Sequence, residues 1–108
     1  MQIAEHSADG VTVVAPAGRL DSNSAPALDA VLSGQARAAP RLVVDLAAVD
    51  YISSAGLRVL LKAAKLARAS GQQLALAGLA PQVREVFDVS GFTRLFRIGE
   101  TVAAASTL

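Results

Sequence analysis

Asp21, Asp45 and Asp50 are the carboxylates best placed for chemistry, since each falls at or near the end of a segment that reads as a strand. Gathered at one end of a sheet, such carboxylates could do acid–base work or hold magnesium. Aspartate equally closes turns and caps helices, and Asp21 and Asp50 both stand where a turn or cap is expected. His6 is the only histidine and lies in an early extended segment. A general base needs a positioned partner, so His6 reads as a surface or half-buried residue. Cysteine is absent, which excludes disulfides, thiol catalysis and Cys-ligated zinc. The glycines form neither G-x-x-x-x-G-K nor G-x-G-x-x-G, so there is no phosphate loop to read. No metal or cofactor is expected.

The informative stretch is Asp50-Tyr51-Ile52-Ser53-Ser54-Ala55-Gly56-Leu57-Arg58. It runs from a buried strand through a short loop into an amphipathic helix. Ser53 or Ser54 suits the N-cap, where a side-chain oxygen accepts a free N–H of the first turn. Gly56 does not fit a simple cap. A glycine in the first turn costs about 1 kcal/mol relative to alanine, so close approach of another backbone or of a partner is expected there. At about 100° per residue, Arg58, Lys62, Lys65 and Arg68 share one sector of roughly 120°. Ser54 projects into the same sector one turn earlier, and Leu61 lies at its apolar margin. Such a face reads either as ordinary solvated charge or as a docking surface for an acidic partner, with a hydroxyl at its edge.

The elements that hold this stretch follow from pattern. Met1 to His6 alternates weakly, and Gly10–Gly18 is rich in β-branched residues; the turn Ser7-Ala8-Asp9-Gly10 joins them as a hairpin. Asp21-Ser22-Asn23-Ser24 is a run of capping residues, and Pro26 suits a first helical turn. Leu28, Val31 and Leu32 form one helical face that ends near Gly34 or soon after. Leu42–Leu46 reads as a strand buried on both faces. The helix opened by Ser53-Ser54 carries Leu57, Leu60, Leu61, Ala64 and Ala67 and stops at Gly71. Gln73–Ala77 is a further strand. Pro81 starts a helix with Val83, Val86 and Phe87 that ends at Gly91. Leu95–Ile98 is a short strand, and Glu100–Leu108 a final short helix. The order β-β-α-β-α-β-α-β-(α) predicts an α/β layer structure with a mostly parallel sheet of four to five strands.

Composition sets the bounds. The 108 residues suit a single domain spanning 1–108. With 53% apolar and 18% charged residues, the chain is globular rather than disordered. Only one tyrosine and three phenylalanines are present, so the core must use valine, leucine and alanine. A net charge of +1 carries no footprint for nucleic acid or anionic lipid. Apolar runs are too short for a membrane span, and the start lacks the regions of a signal peptide, so a cytoplasmic protein is expected.

Three segments together resemble the STAS domain, the family of sulphate-transporter cytoplasmic domains and bacterial anti-sigma factor antagonists. The centre is Leu42-Val43-Val44-Asp45-Leu46 with Tyr51-Ile52-Ser53-Ser54-Ala55-Gly56-Leu57. Gly18-Arg19-Leu20-Asp21 resembles a second marker. Val83-Arg84-Glu85-Val86-Phe87, Gly91-Phe92 and Leu95-Phe96 resemble a third. The resemblance implies a non-enzymatic binding module that is a monomer when free. Its implied partner is an anti-sigma factor that is also a serine kinase of the histidine-kinase-like ATPase type, with a metal-dependent serine phosphatase resetting the modification. Aligned on Gly56-Leu57, the family's phosphoacceptor falls on Ser54, with Ser53 the second choice because it stands where the family often has aspartate. Asp21 matches an acid near the acceptor. The implied partner surface comprises Asp21, Ser22, Asn23, Ile52, Ser53, Ser54, Ala55, Gly56, Arg58, Leu61, Lys62 and Lys65. Two other readings compete. One is a constitutive STAS subunit of a transport or stress-signalling complex, with Ser54 only a cap. The other is an α/β enzyme or nucleotide-binding protein built on Asp21, Asp45 and Asp50 with Ser54.

Overall fold

The chain first reverses at Asp9-Gly10, where both residues have positive φ, 55° and 78°. That twist matches the right-handed twist of the flanking strands, which is why an Asp-Gly pair makes a tight hairpin. In the computed structural model, which describes residues 1–35 and 39–108, this turn joins β1 (Gln2–Ala8) to β2 (Val11–Leu20) in an antiparallel ladder. β3 (Arg41–Asp45), β5 (Gln73–Ala77) and β6 (Arg97–Gly99) follow in parallel, giving the spatial order β1-β2-β3-β5-β6.

A sixth strand is the main departure from expectation. β4 (Val49–Ile52) lies where the sequence predicts a loop, and pairs in parallel with the end of β2. β2 is ten residues long. Its first part, Val11–Val14, pairs with β3, and its last part, Gly18–Leu20, runs on alone to receive β4. The four residues of β4 have no strand pattern strong enough to read alone; the free edge of β2 extends them. Two smaller shifts accompany it. The last strand begins two residues later than expected, because Thr93–Leu95 forms a 3-10 turn. The final helix is a single short turn.

Helices α1 (Ala25–Gln35), α2 (Ser54–Ser70) and α3 (Pro81–Ser90) share one core with the sheet. The even-numbered residues of the strands, Val14, Leu42, Val44 and Leu76, meet Leu28, Leu32, Leu57, Leu60 and Phe87 there. The period of two puts the odd residues on the other face, where Val13, Val43, Ala75 and Ala77 meet Ala105 of α4 (Val102–Ala105). Small residues let α4 sit close: a Cβ on Gly99 would lie 2.6 Å from the Ala105 nitrogen. The segment resembling the third marker builds the far end of the main core. Val83 and Phe87 are fully buried, Phe87 meets Phe96 edge-on with ring centroids 5.7 Å apart, and Gly91 takes the left-handed cap.

Candidate functional site

The sheet delivers two chain ends to one place. Leu20 pairs with Ile52 at the last step of the β2–β4 ladder, so Asp21 and Ser53 leave the sheet side by side. The Ser53 N–H donates to the Leu20 carbonyl at 2.9 Å, which extends that pairing by one bond. Beyond it the backbone of Ser53 is still extended, and the next residue is helical.

The two serines therefore separate in role. Ser53 is the N-cap of α2, its Oγ accepting the Gly56 N–H at 3.4 Å. Ser54 is the first helical residue, exposed, and its hydroxyl has no hydrogen bond among the described residues. The first turn of α2 contains no acidic residue. Capping by one serine leaves the other presented to solvent.

Gly56 is required by this junction whether or not a partner approaches. A Cβ there would fall 2.7 Å from Leu20 Cγ, 2.9 Å from Ile52 Cγ1 and 3.0 Å from the Leu20 carbonyl oxygen. The glycine lets the first turn of α2 rest on the ends of β2 and β4. Gly56 and Ile52 are buried and Ala55 is half-buried. Of the expected partner surface, Ile52 and Gly56 are buried, and their part at this junction is to seat the first turn of α2 on the sheet.

On the β2 side, Asp21 organises the turn into α1. Its Oδ1 accepts the N–H groups of Asn23 at 3.0 Å and Ser24 at 3.2 Å, while Ser22 and Asn23 remain exposed. The Ser24 N–H, then that of Asn23 and the Ser24 hydroxyl, with Arg19 adding a smaller attraction, hold the Asp21 carboxyl below its ordinary range despite some opposing desolvation. This is the turn-closing role of aspartate. Asp45 does the same after β3, accepting the Ala47 N–H at 3.0 Å. The three aspartates do not converge: no group of carboxylates and histidines among the described residues could hold a metal ion. His6 is exposed on the edge strand β1.

Along α2, Arg58, Lys62, Lys65 and Arg68 are all exposed, and Leu61 is half-buried at the margin. The stripe is interrupted. The Lys62 ammonium donates to Asp29 of α1 at 3.1 Å, so its charge is already answered within the chain.

Two exposed residues beside the site escape a reading by helical wheel. A β-bulge between Gly18 and Arg19 shifts the β2–β4 register, with Gly18 at φ 102°. Bulges re-aim side chains, and here Arg19 lies over the Tyr51 ring, its guanidinium carbon 4.0 Å from the centroid. The Arg19 Nε is also 3.6 Å from Asp21 Oδ2. The only sequence signal was the place of Arg19 inside Gly18-Arg19-Leu20-Asp21; its pairing with Tyr51 depends on a strand that was not expected.

Comparison with known proteins identifies the fold and the family. The STAS domain model matches residues 2–105. The chain is 40% identical over 107 residues to BtrV of Bordetella bronchiseptica, a protein assigned as an anti-sigma factor antagonist, covering 98% of this chain and 92% of that one. A crystal structure of an anti-sigma factor antagonist from Mycobacterium paratuberculosis superposes with a TM-score of 0.87 at 29% identity, covering 98% and 91% of the two chains. The phosphorylated form of the Bacillus cell-fate determinant SpoIIAA shares the fold, with a TM-score of 0.70 at 18% identity over 91% of each chain. No helix among the described residues is long and apolar enough to cross a membrane. The family match over nearly the whole chain and the likeness of the whole fold to a solved antagonist agree, and the chain belongs to the STAS domain family.

Proposed function

We propose that this chain is a phosphorylation-gated binding regulator, an antagonist of an anti-sigma factor that is also a serine kinase of the histidine-kinase-like ATPase type. The unphosphorylated surface around Ser54 sequesters that partner, and phosphorylation of Ser54 releases it. The observation that carries this reading is the division of labour at the α2 junction: Ser53 caps the helix, and Ser54 is left exposed with a hydroxyl that has no hydrogen bond among the described residues.

The chemistry is phosphoryl transfer from ATP on the kinase. The Ser54 Oγ–P bond forms as the bond from the γ-phosphorus to ADP breaks, and the hydroxyl proton leaves to the kinase's base. A metal-dependent phosphatase reverses the modification by hydrolysis. The phosphate adds a charge of about −1.5 to −2 at neutral pH. At the first residue of a helix that charge is favourable to the chain itself, through free N–H groups and the helix dipole. Arg58, one turn on, is an exposed counter-charge. The penalty falls on the partner, whose surface complementary to a hydroxyl meets a bulky dianion. Asp21, Ser22, Asn23, Ser53, Ala55, Arg58, Leu61 and Lys65 complete the surface, with Lys62 shared with Asp29 and the buried Ile52 and Gly56 beneath it. The name of the Bordetella relative, and the existence of a phosphorylated form of SpoIIAA, support the reading.

The test is intact-mass analysis after expression in the native cell, with and without each candidate serine kinase. A single phosphate addition that vanishes in Ser54→Ala and in one kinase deletion supports the proposal. Binding of that kinase to wild type and Ser54→Ala, but not to Ser54→Asp, completes it. Equal binding by all three, with no added mass under any condition, would leave a constitutive binding subunit instead.

A further inference from the structure

Arg19 is an exposed cation on β2, stacked on Tyr51 three residues before Ser54. Its side chain runs forward along β2, bringing Nε within 3.6 Å of Asp21 Oδ2, and Asp21 is the residue that leaves the sheet beside Ser53. The guanidinium thus lies beside Asp21, whose neighbour across the ladder, Ser53, immediately precedes Ser54, while Arg58 is exposed one turn along α2. Both present holds on Arg19 are weak in kind. The side chain is 62% exposed, its ion pair with Asp21 is long and solvated, and its contact with Tyr51 is a cation–π stack at the surface.

A dianion at Ser54 changes this balance. It brings like charge up to the Asp21 carboxylate, which is fixed in position by the N–H groups of Asn23 and Ser24 and cannot turn away without losing them. A cation between the two anions relieves the repulsion. Arginine suits this role because its planar fork meets phosphate oxygens in two parallel bonds, stronger than a stack on a ring in water.

We infer that Arg19 is the sheet-side half of a phosphate-binding site at Ser54, leaving the Tyr51 ring on phosphorylation to bridge the phosphate and Asp21 while Arg58 binds from the helix. This rests on modification at Ser54, as proposed above. It adds a consequence for docking. Tyr51 is already 41% exposed, and the departure of Arg19 uncovers its ring face, so the partner surface changes on the sheet as well as at the hydroxyl.

The experiment uses the full chain with phosphoserine installed at position 54 during translation, so that no kinase is involved. Phosphorus NMR titration gives the second pKa of the phosphoserine, and proton NMR gives the ring-current shift of the Arg19 δ-methylene over Tyr51. Arg19→Ala is expected to raise the phosphoserine pKa by about half a unit, since a neighbouring cation favours the dianion. Arg19→Lys should restore part of that shift. In the otherwise wild-type phosphoprotein, the Arg19 methylene should lose the ring-current shift that it has in the unmodified chain. A phosphoserine pKa that responds to Arg58→Ala and not to Arg19→Ala overturns the inference, as does a ring-current shift unchanged by the phosphate. Neither result bears on whether a cellular kinase modifies Ser54, which the intact-mass experiment reads separately.

Discussion

Gly56 and Leu20 approach so closely that no side chain fits between them. A Cβ on Gly56 would lie 2.7 Å from Leu20 Cγ and 3.0 Å from the Leu20 carbonyl oxygen. The same carbonyl accepts the Ser53 N–H at 2.9 Å. The end of β2 therefore anchors both the cap and the first turn of α2, and through them the direction in which Ser54 points.

Gly56→Ala should destabilise the chain, by up to about 2 kcal/mol. Helix propensity favours alanine by about 1 kcal/mol, but forcing a methyl against backbone and two core side chains costs about 1–3 kcal/mol and shifts the helix start. Gly34→Ala in α1 is the control. No described atom lies within 4 Å of a Cβ there, so propensity acts alone and stability should rise by about 0.5–1 kcal/mol. Urea unfolding of both variants checks the opposite signs.

Ser53→Ala and Ser54→Ala should differ in stability although they are neighbours. Removing the cap costs about 0.5–1 kcal/mol, towards the lower part of the usual range because the Ser53–Gly56 bond is 3.4 Å long. Ser54→Ala removes no bond and should be neutral within about 0.5 kcal/mol. Equal losses in thermal unfolding would mean that the capping role is shared.

Ser54→Asp should fold as well as wild type and gain about 0.3–1 kcal/mol at low salt, because the first turn of α2 has no other acidic residue. The gain should shrink as salt screens it. A Ser54→Asp protein that loses its partner at undiminished thermal stability attributes the loss to the surface rather than to unfolding.

Asp21 links the site to pH. Its carboxyl is held below the ordinary value, chiefly by the Ser24 N–H, so the folded state binds its proton less readily than the unfolded chain does. Its contribution is fully present above the unfolded-state pKa of about 3.9 and is lost as pH falls through the lower folded value. Asp21→Asn should therefore flatten the stability profile on the acid side of about pH 4 and leave its slope near neutrality unchanged. Unfolding curves at a series of pH values measure the slope directly.

Much of the architecture was legible in the sequence, and the physical reason is local. The hairpin follows from Asp9-Gly10, whose positive φ values other residue pairs resist. The extent of α2 follows from a serine cap, an apolar face of helical period and Gly71 in the left-handed conformation at its end. The place of Ser54 on a solvent-facing sector follows from the same period. These features depend on neighbours a few residues away, so they are readable before the chain is folded.

Tertiary structure decided the rest, because those features depend on chain segments brought together by the sheet. β4 exists since β2 outruns β3 and offers a free edge. That strand sets Tyr51 beside Arg19, a pairing no periodicity could announce. The choice of Ser53 over Ser54 as cap follows from the extended backbone that leaves β4, where either hydroxyl had suited the role. Lys62 belonged to a basic stripe on a helical wheel, yet α1 brings Asp29 against it. The helix period defines which way a side chain faces, and only the packing of the elements decides what it meets there.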